Sequence, residues 1–183
     1  MEISFDSNCF YADPQDISNQ TELLRGEWVP GSPLGVYWAM GRQVPDDVAI
    51  GRSTTWYYLS PRVQELFVDG GLTGWSRYPI VLHDQSGNVC PGYAGLSITG
   101  RCGPIDQQGG KVLAGQKPGK KFVRRIGIYF DESTWDGSDF FCPVGDNSYI
   151  FATKRVKDLF QANGIEGFEF IPLAEATWYP HAS

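Results

Sequence analysis

The sequence predicts an α+β fold, in which a mixed β-sheet is built around two similar strand-helix-strand units joined by long loops. Three observations predict it. The stretch YLSPRVQELFVDGGLTGWSRYP, residues 58–79, is matched without a gap by FATKRVKDLFQANGIEGFEFIP, residues 151–172, at a constant offset of 93. Aromatic residues make up 14% of the chain, alongside 22 glycines and 12 prolines, a composition of strands and turns more than of helical bundles. Short runs with alternating apolar character, such as FVRRIGIYF, carry the period of a half-buried strand.

The repeat organises the chain, and such self-similarity is read before any single element. It pairs Arg62 with Arg155, Val63 with Val156, Leu66 with Leu159 and Phe67 with Phe160 in the helix. Beyond it, Gly71 falls on Gly164, Leu72 on Ile165, Gly74 on Gly167, Trp75 on Phe168 and Pro79 on Pro172. Thr55, Trp56, Tyr58 and Ser60 stand opposite Ser148, Tyr149, Phe151 and Thr153, so the pseudo-repeat spans 55–79 and 148–172. At 183 residues the chain reads as a single domain, 1–183, able to bury roughly 70% of its unfolded surface.

In chain order, EISF reads as an edge strand, and DPQDISNQTELLRGEW holds one short helix before the turn VPGSPLG. TTWYYL is a strand. Ser60 then caps a helix that has Pro61 at its first position, where a missing N–H does no harm, and Val63, Leu66 and Phe67 form its apolar face. Gly70 and Gly71 stop it, and RYPIVL continues as a strand. GYAGLSITG is a strand of small residues closed by the turn GRCGP. QQGGKVLAGQKPGKK has too little apolar surface to pack, so a mobile basic loop is expected at about 107–121. FVRRIGIYF follows as a strand, with Phe122, Ile126, Ile128 and Phe130 on one side and Arg125 and Tyr129 on the other. The second unit comprises strand SYIFA, Thr153 as cap, a helix stopped by Asn163 and Gly164, and strand FEFIPL. Each unit is long enough for a parallel crossover.

The formal net charge is −6 and is unevenly spread. Residues 1–70 carry ten acids against four bases, 126–183 nine against three, and 101–125 seven bases against Asp106 alone. Such a balance repels phosphate backbones and steers basic proteins, so no nucleic-acid partner is expected. No leader-like start and no run of 18 apolar residues occurs, and a soluble cytoplasmic protein with no membrane partner is expected. Cys9, Cys90, Cys102 and Cys142 include no CxxC pair, which points to reduced thiols rather than a zinc or redox motif. Cys90 and Cys102 flank one predicted strand, and whether they pair is left open.

Catalytic motifs are sparse. His83 and His181 are the only histidines, and Asp84 beside His83 would point to the opposite face of a strand. GLSITG is not a nucleophile elbow, and GQKPGKK is not a phosphate loop. The densest acidic stretch is DESTWDGSD, with Asp131, Glu132, Asp136 and Asp139 around Trp135. Its spacing is not that of an EF-hand, since Ser133 and Trp135 fall where carboxylates are needed. No metal or other cofactor is expected. As a recognition loop, it would anchor Trp135 and Phe140 on the core and hold its carboxylates in water. Two other readings stay open: a hydrolase or transferase using this loop with His83, and a carbohydrate-binding module stacking sugars on Trp75, Trp135 and Tyr149.

The run W-D-G-S-D-F-F, a strand, and then T-x-R-V-x-D-L-F-x-x-x-G-I-x-G-F-x-F-x-P resembles the C-terminal module of immunity proteins from bacterial polymorphic toxin systems, among them relatives of the double-CxxCG group. The likeness covers residues 135–173, and more loosely GYAGLSITGRCGPID at 92–106. The paired CxxC motifs of that group are missing here. The resemblance implies a small cytosolic protein that binds the effector domain of a cognate toxin and blocks it without catalysis. On this reading the contact residues are Asp131, Glu132, Trp135, Asp136 and Asp139. Oligomeric state is not fixed by the sequence.

Overall fold

A computed structural model describes residues 1–4, 9–15, 17–52, 56–113, 124–165 and 169–179. The expected features carried by Thr55, residues 114–123, Gly167, Phe168 and His181 lie outside them. The first half of the chain holds β1 (Glu2–Ser4), β2 (Phe10–Pro14), α1 (Gln20–Leu24), β3 (Leu34–Gly41), β4 (Val48–Ile50), β5 (Tyr57–Leu59), α2 (Pro61–Asp69) and β6 (Trp75–His83). Then come β7 (Val89–Cys90), β8 (Ala94–Ile98), β9 (Gly100–Cys102), β10 (Lys111–Val112) and β11 (Arg125–Ile126). A 3-10 turn (Glu132–Thr134), β12 (Phe140–Pro143), β13 (Phe151–Ala152), α3 (Lys154–Ala162), β14 (Glu169–Ile171) and β15 (Thr177–Trp178) complete the described elements. The fold is α+β, as the composition predicts, and mostly β.

The sheet is not one open layer. The order β3-β2-β4-β5-β8-β6 closes on itself because β6 also pairs with β3, giving a six-stranded mixed barrel in which β7 continues the β8 edge along the far end of β6. Its interior is set by strand alternation. Ala49 opposes Tyr58, Tyr58 opposes Gly95, and Tyr78 opposes Gly95 from the other side, so two large rings share a row with two small residues. Gly95 is obligatory there, since a Cβ would come within 2.0 Å of the Tyr78 ring. Phe10, Ala12, Val36 and Leu82 fill the rest, and α1 closes an end with Leu23 and Leu24. The buried Ser97 hydroxyl donates to the Leu23 carbonyl at 2.6 Å.

A second sheet runs β14-β1-β13-β12-β9, and a small third one runs β10-β11-β15. The faces separate cleanly. Phe140, Cys142 and Ala152 turn toward the helices and the barrel's outer residues Val48, Ile50, Tyr57 and Leu59. Phe141 and Phe151 turn the other way, onto Ile128 and Trp178.

The two matched stretches share an arrangement of strands that extends beyond the sequence match. Strands β5 and β6 both run antiparallel to β8, which lies between them, and β13 and β14 both run antiparallel to β1. Each unit is therefore a split crossover with a third strand slotted in. Glu2–Ser4 of the stretch EISF, expected at an edge, form that inserted strand, between β13 and β14, with Ala152 N–H bonded to the Met1 carbonyl at 2.8 Å; Phe5 lies outside the described residues. Each unit also begins one strand earlier. β4 pairs with β5 through Val48 and Leu59, and β12 pairs with β13 through Phe140 and Ala152. The two helices meet through equivalent side chains, Phe67 and Phe160, whose ring centroids are 5.6 Å apart. Each helix also caps the other: Arg62 donates to the Asn163 carbonyl at the end of α3, and Arg155 donates to the Gly70 carbonyl at the end of α2.

Two further expectations are corrected. Among the described residues of FVRRIGIYF the strand is confined to Arg125–Ile126: Gly127 takes φ 92°, and although its amide still bonds the Ala176 carbonyl in register with β15, the Ile128 amide turns to that of Leu173. Within the stretch expected as a loop, Lys111 and Val112 form a short strand that pairs with Ile126 and Arg125.

Candidate functional site

The acidic stretch 131–139 contains a tight loop and, at its end, a buried hub. Asp131 opens the 3-10 turn as its cap, its Oδ1 accepting from the Ser133 amide at 3.0 Å and the Ser133 hydroxyl at 2.7 Å. Thr134 Oγ1 accepts from the Gly103 amide at 2.6 Å, fastening the turn to the chain after β9. Asp136 repeats the device with Ser138, whose amide donates at 3.0 Å and whose hydroxyl also donates. The other Asp136 oxygen accepts from the Arg101 amide at 2.7 Å, while Asp136 N–H donates to the Arg101 carbonyl at 3.1 Å. Trp135 lies on Phe141, with ring centroids 5.3 Å apart, and its indole N–H donates to the Ser138 carbonyl at 3.1 Å. Asp131, Glu132, Trp135 and Asp136 all remain exposed.

These bonds favour the ionised forms. The Ser133 hydroxyl and amide hold Asp131 below the ordinary carboxylate value. At Asp136 partial burial opposes ionisation, but the bonds from Ser138 and Arg101 outweigh it and its pKa is also lowered. A general acid needs the opposite shift. The loop suits the holding of fixed negative charge against cationic donors more than the transfer of protons.

Asp139 does not share this surface. It is 6% exposed, and its carboxylate accepts from the Thr73 amide at 3.0 Å, the Thr73 hydroxyl at 3.2 Å, the Thr153 hydroxyl at 3.0 Å and Arg155 at 3.0 Å. The expectation that it stays in water is corrected: it joins the start of β6 to the start of α3. Thr153, though placed as a cap, gives no side-chain hydrogen bond to its own helix and uses its hydroxyl on Asp139 alone, whereas the Ser60 oxygen caps α2 through the Val63 amide. The first unit has the same hub. Asp47 accepts from the Ser60 hydroxyl at 3.3 Å and from Arg62 at 2.7 Å, and in both units the aspartate carbonyl accepts the cap amide at 2.9 Å. Sequence reading missed Asp47, although an aspartate just before a strand in both halves was the signal.

The other candidates are dispersed. His83 stacks on Tyr37 on the barrel wall, centroids 4.7 Å apart, away from the acidic loop. Trp75 packs edge-on against Phe67 between the helices, and Tyr149 lies against the cluster around Phe151. All four cysteines are free thiols. Among the described residues no group of three His, Cys, Asp or Glu side chains is arranged to hold a metal ion, and no helix is long and apolar enough to cross a membrane.

Two concavities among the described residues had no sequence signal, because each is lined by segments far apart in the chain. One, about 410 Å³, opens beside the Asp13–Arg52 ion pair and is backed by Ile17 and Trp56. The other, about 270 Å³, runs along the outer side of α2. Comparison with known proteins returns no match, either to a family model or to a curated protein.

Proposed function

We propose that this protein is an immunity protein: a cytoplasmic binding partner that occludes the effector domain of a cognate bacterial toxin and neutralises it without catalysis. The observation that carries the reading is the loop around Trp135. Asp131 and Asp136 are held ionised by bonds from their own loop and from β9, with an exposed indole between them. Rigid anionic groups beside an aromatic anchor lower the ordering cost of association and steer a basic surface toward the loop. The resemblance of residues 135–173 to immunity-protein modules supports the same reading.

The test is co-expression with the effector domain of the toxin encoded beside this chain, followed by co-purification. Rescue of growth and a stable complex are expected. Rescue and complex should both weaken in Trp135→Ala and Glu132→Gln variants that melt like the parent. Equal killing with and without this chain, with no complex recovered, refutes the proposal.

A further inference from the structure

The two related helices provide an internal comparison of surface chemistry. In α3, Lys154 pairs with Asp158 one turn on at 2.6 Å, and the outer face continues with Gln161 and Ala162. The equivalent positions of α2 are Pro61, Glu65, Val68 and Asp69. Proline removes the lysine, so Glu65 is exposed and its carboxylate has no partner among the described residues. Asp69 is a like charge one turn away, equally unpartnered, and lies in the last turn, where the helix dipole disfavours an anion. Val68, between them, is 63% exposed where α3 has glutamine. On one scaffold, the second helix satisfies its own surface and the first leaves charge and apolar area open.

These side chains wall the 270 Å³ cleft. Its floor is built: Gln64 is 7% exposed, donates to the Leu59 and Gly92 carbonyls at 3.0 and 2.8 Å, and accepts from Arg77 at 3.1 Å. Arg77, exposed and lining the cleft, is tethered to this floor, and with the two carboxylates on the helix wall the lining carries a net charge of −1 (Glu65 and Asp69 against Arg77). Gly92, at φ 80°, keeps the far wall open, since a Cβ there would meet Pro61 at 2.6 Å. The cleft is also close to the acidic loop. Gly74 abuts Ser138 at the loop's base, and Arg77 is three residues further along β6, about 10 Å at the strand rise.

We infer that the α2 cleft is part of the effector-binding surface and receives a lysine or arginine side chain from a basic segment of the effector protein. The aliphatic stem lies on Val68 and Pro61, and the cationic head lies between Glu65 and Asp69. The inference rests on the immunity reading and supplies area that the loop alone lacks, because a standard interface covers about 800 Å² per partner.

Calorimetry of the intact chain with the effector domain of the toxin encoded beside it separates the outcomes. The Glu65→Gln/Asp69→Asn double variant should bind about tenfold or more weakly with its melting curve unchanged or slightly raised, since a like-charge pair is removed from α2, and with a shallower salt dependence. Val68→Gln, which installs the α3 residue, should also weaken binding, while Lys154→Ala on α3 should not. If the parent binds but both cleft variants stay within about twofold of it, the cleft inference is overturned and the immunity reading survives. A dimer of the isolated chain that Val68→Gln dissociates overturns the inference in favour of a second copy. If the parent binds no effector, both fall.

Discussion

Replacing Asp139 by alanine tests the hub from which the second unit is hung. The substitution leaves the Thr73 amide, part-buried just before β6, without its acceptor, a loss of about 1–2 kcal/mol because water reaches this exposed residue. The hydroxyls of Thr73 and Thr153 lose their shared acceptor too, at about 0.5–1 kcal/mol each after partial reorientation. Arg155 is 56% exposed and rehydrates, so its ion pair adds little. The expected cost is about 3 kcal/mol, which for a chain of this size lowers the melting temperature by about 6–12 °C. Differential scanning calorimetry with urea unfolding measures it. Asp139→Asn, which keeps one acceptor oxygen, should lose about half as much, and Glu132→Ala on the exposed loop should melt close to the parent. A loss below about 1 kcal/mol for Asp139→Ala, with effector binding impaired, would refute the structural role and return Asp139 to the contact surface.

Other outcomes follow from the same geometry. Cys9, Cys102 and Cys142 are buried, and burial pushes the Cys102 and Cys142 thiols up to about 12, so a thiol reagent at pH 8 should label Cys90 first in the folded protein and all four after unfolding. The Tyr78 hydroxyl is buried with no protein partner among the described residues, so Tyr78→Phe should leave stability unchanged or raise it by up to about 1 kcal/mol in urea unfolding. Because the folded pKa values of Asp131 and Asp136 are depressed, their contribution to loop order is complete above the ordinary carboxylate range and disappears as pH falls through the lowered values, below about pH 4. The Ser133 and Ser138 amide resonances should therefore hold from neutral pH to about 4 and shift only below it.

The helices were legible because they depend on local rules. Ser60, Pro61 and Gly71 act on neighbours within a turn, and the matched Phe67 and Phe160 had to face a core. The opening strand of each unit was missed because its offset is 92 rather than 93, Asp47 answering to Asp139, with loops of unequal length in between. Barrel closure was illegible for a different reason. The β3–β6 pairing joins residues more than 40 positions apart and leaves no trace in either strand's own pattern. In the acidic stretch, composition marked Asp131, Asp136 and Asp139 alike, and only the strand beginning at Phe140 separates the buried aspartate from the exposed ones. The α2 cleft depends on Gly92 and Arg77 arriving from other strands, so Glu65 and Asp69 read as ordinary helix surface.

A stoichiometric titration tests the central claim most directly. Effector activity, measured at fixed effector concentration well above the dissociation constant, is followed as purified chain is added. A binder that works by occlusion predicts a linear fall that ends near one equivalent, with both proteins recovered unmodified from the complex. Complete inactivation by a small fraction of an equivalent would show turnover and contradict the account, as would undiminished activity in excess chain.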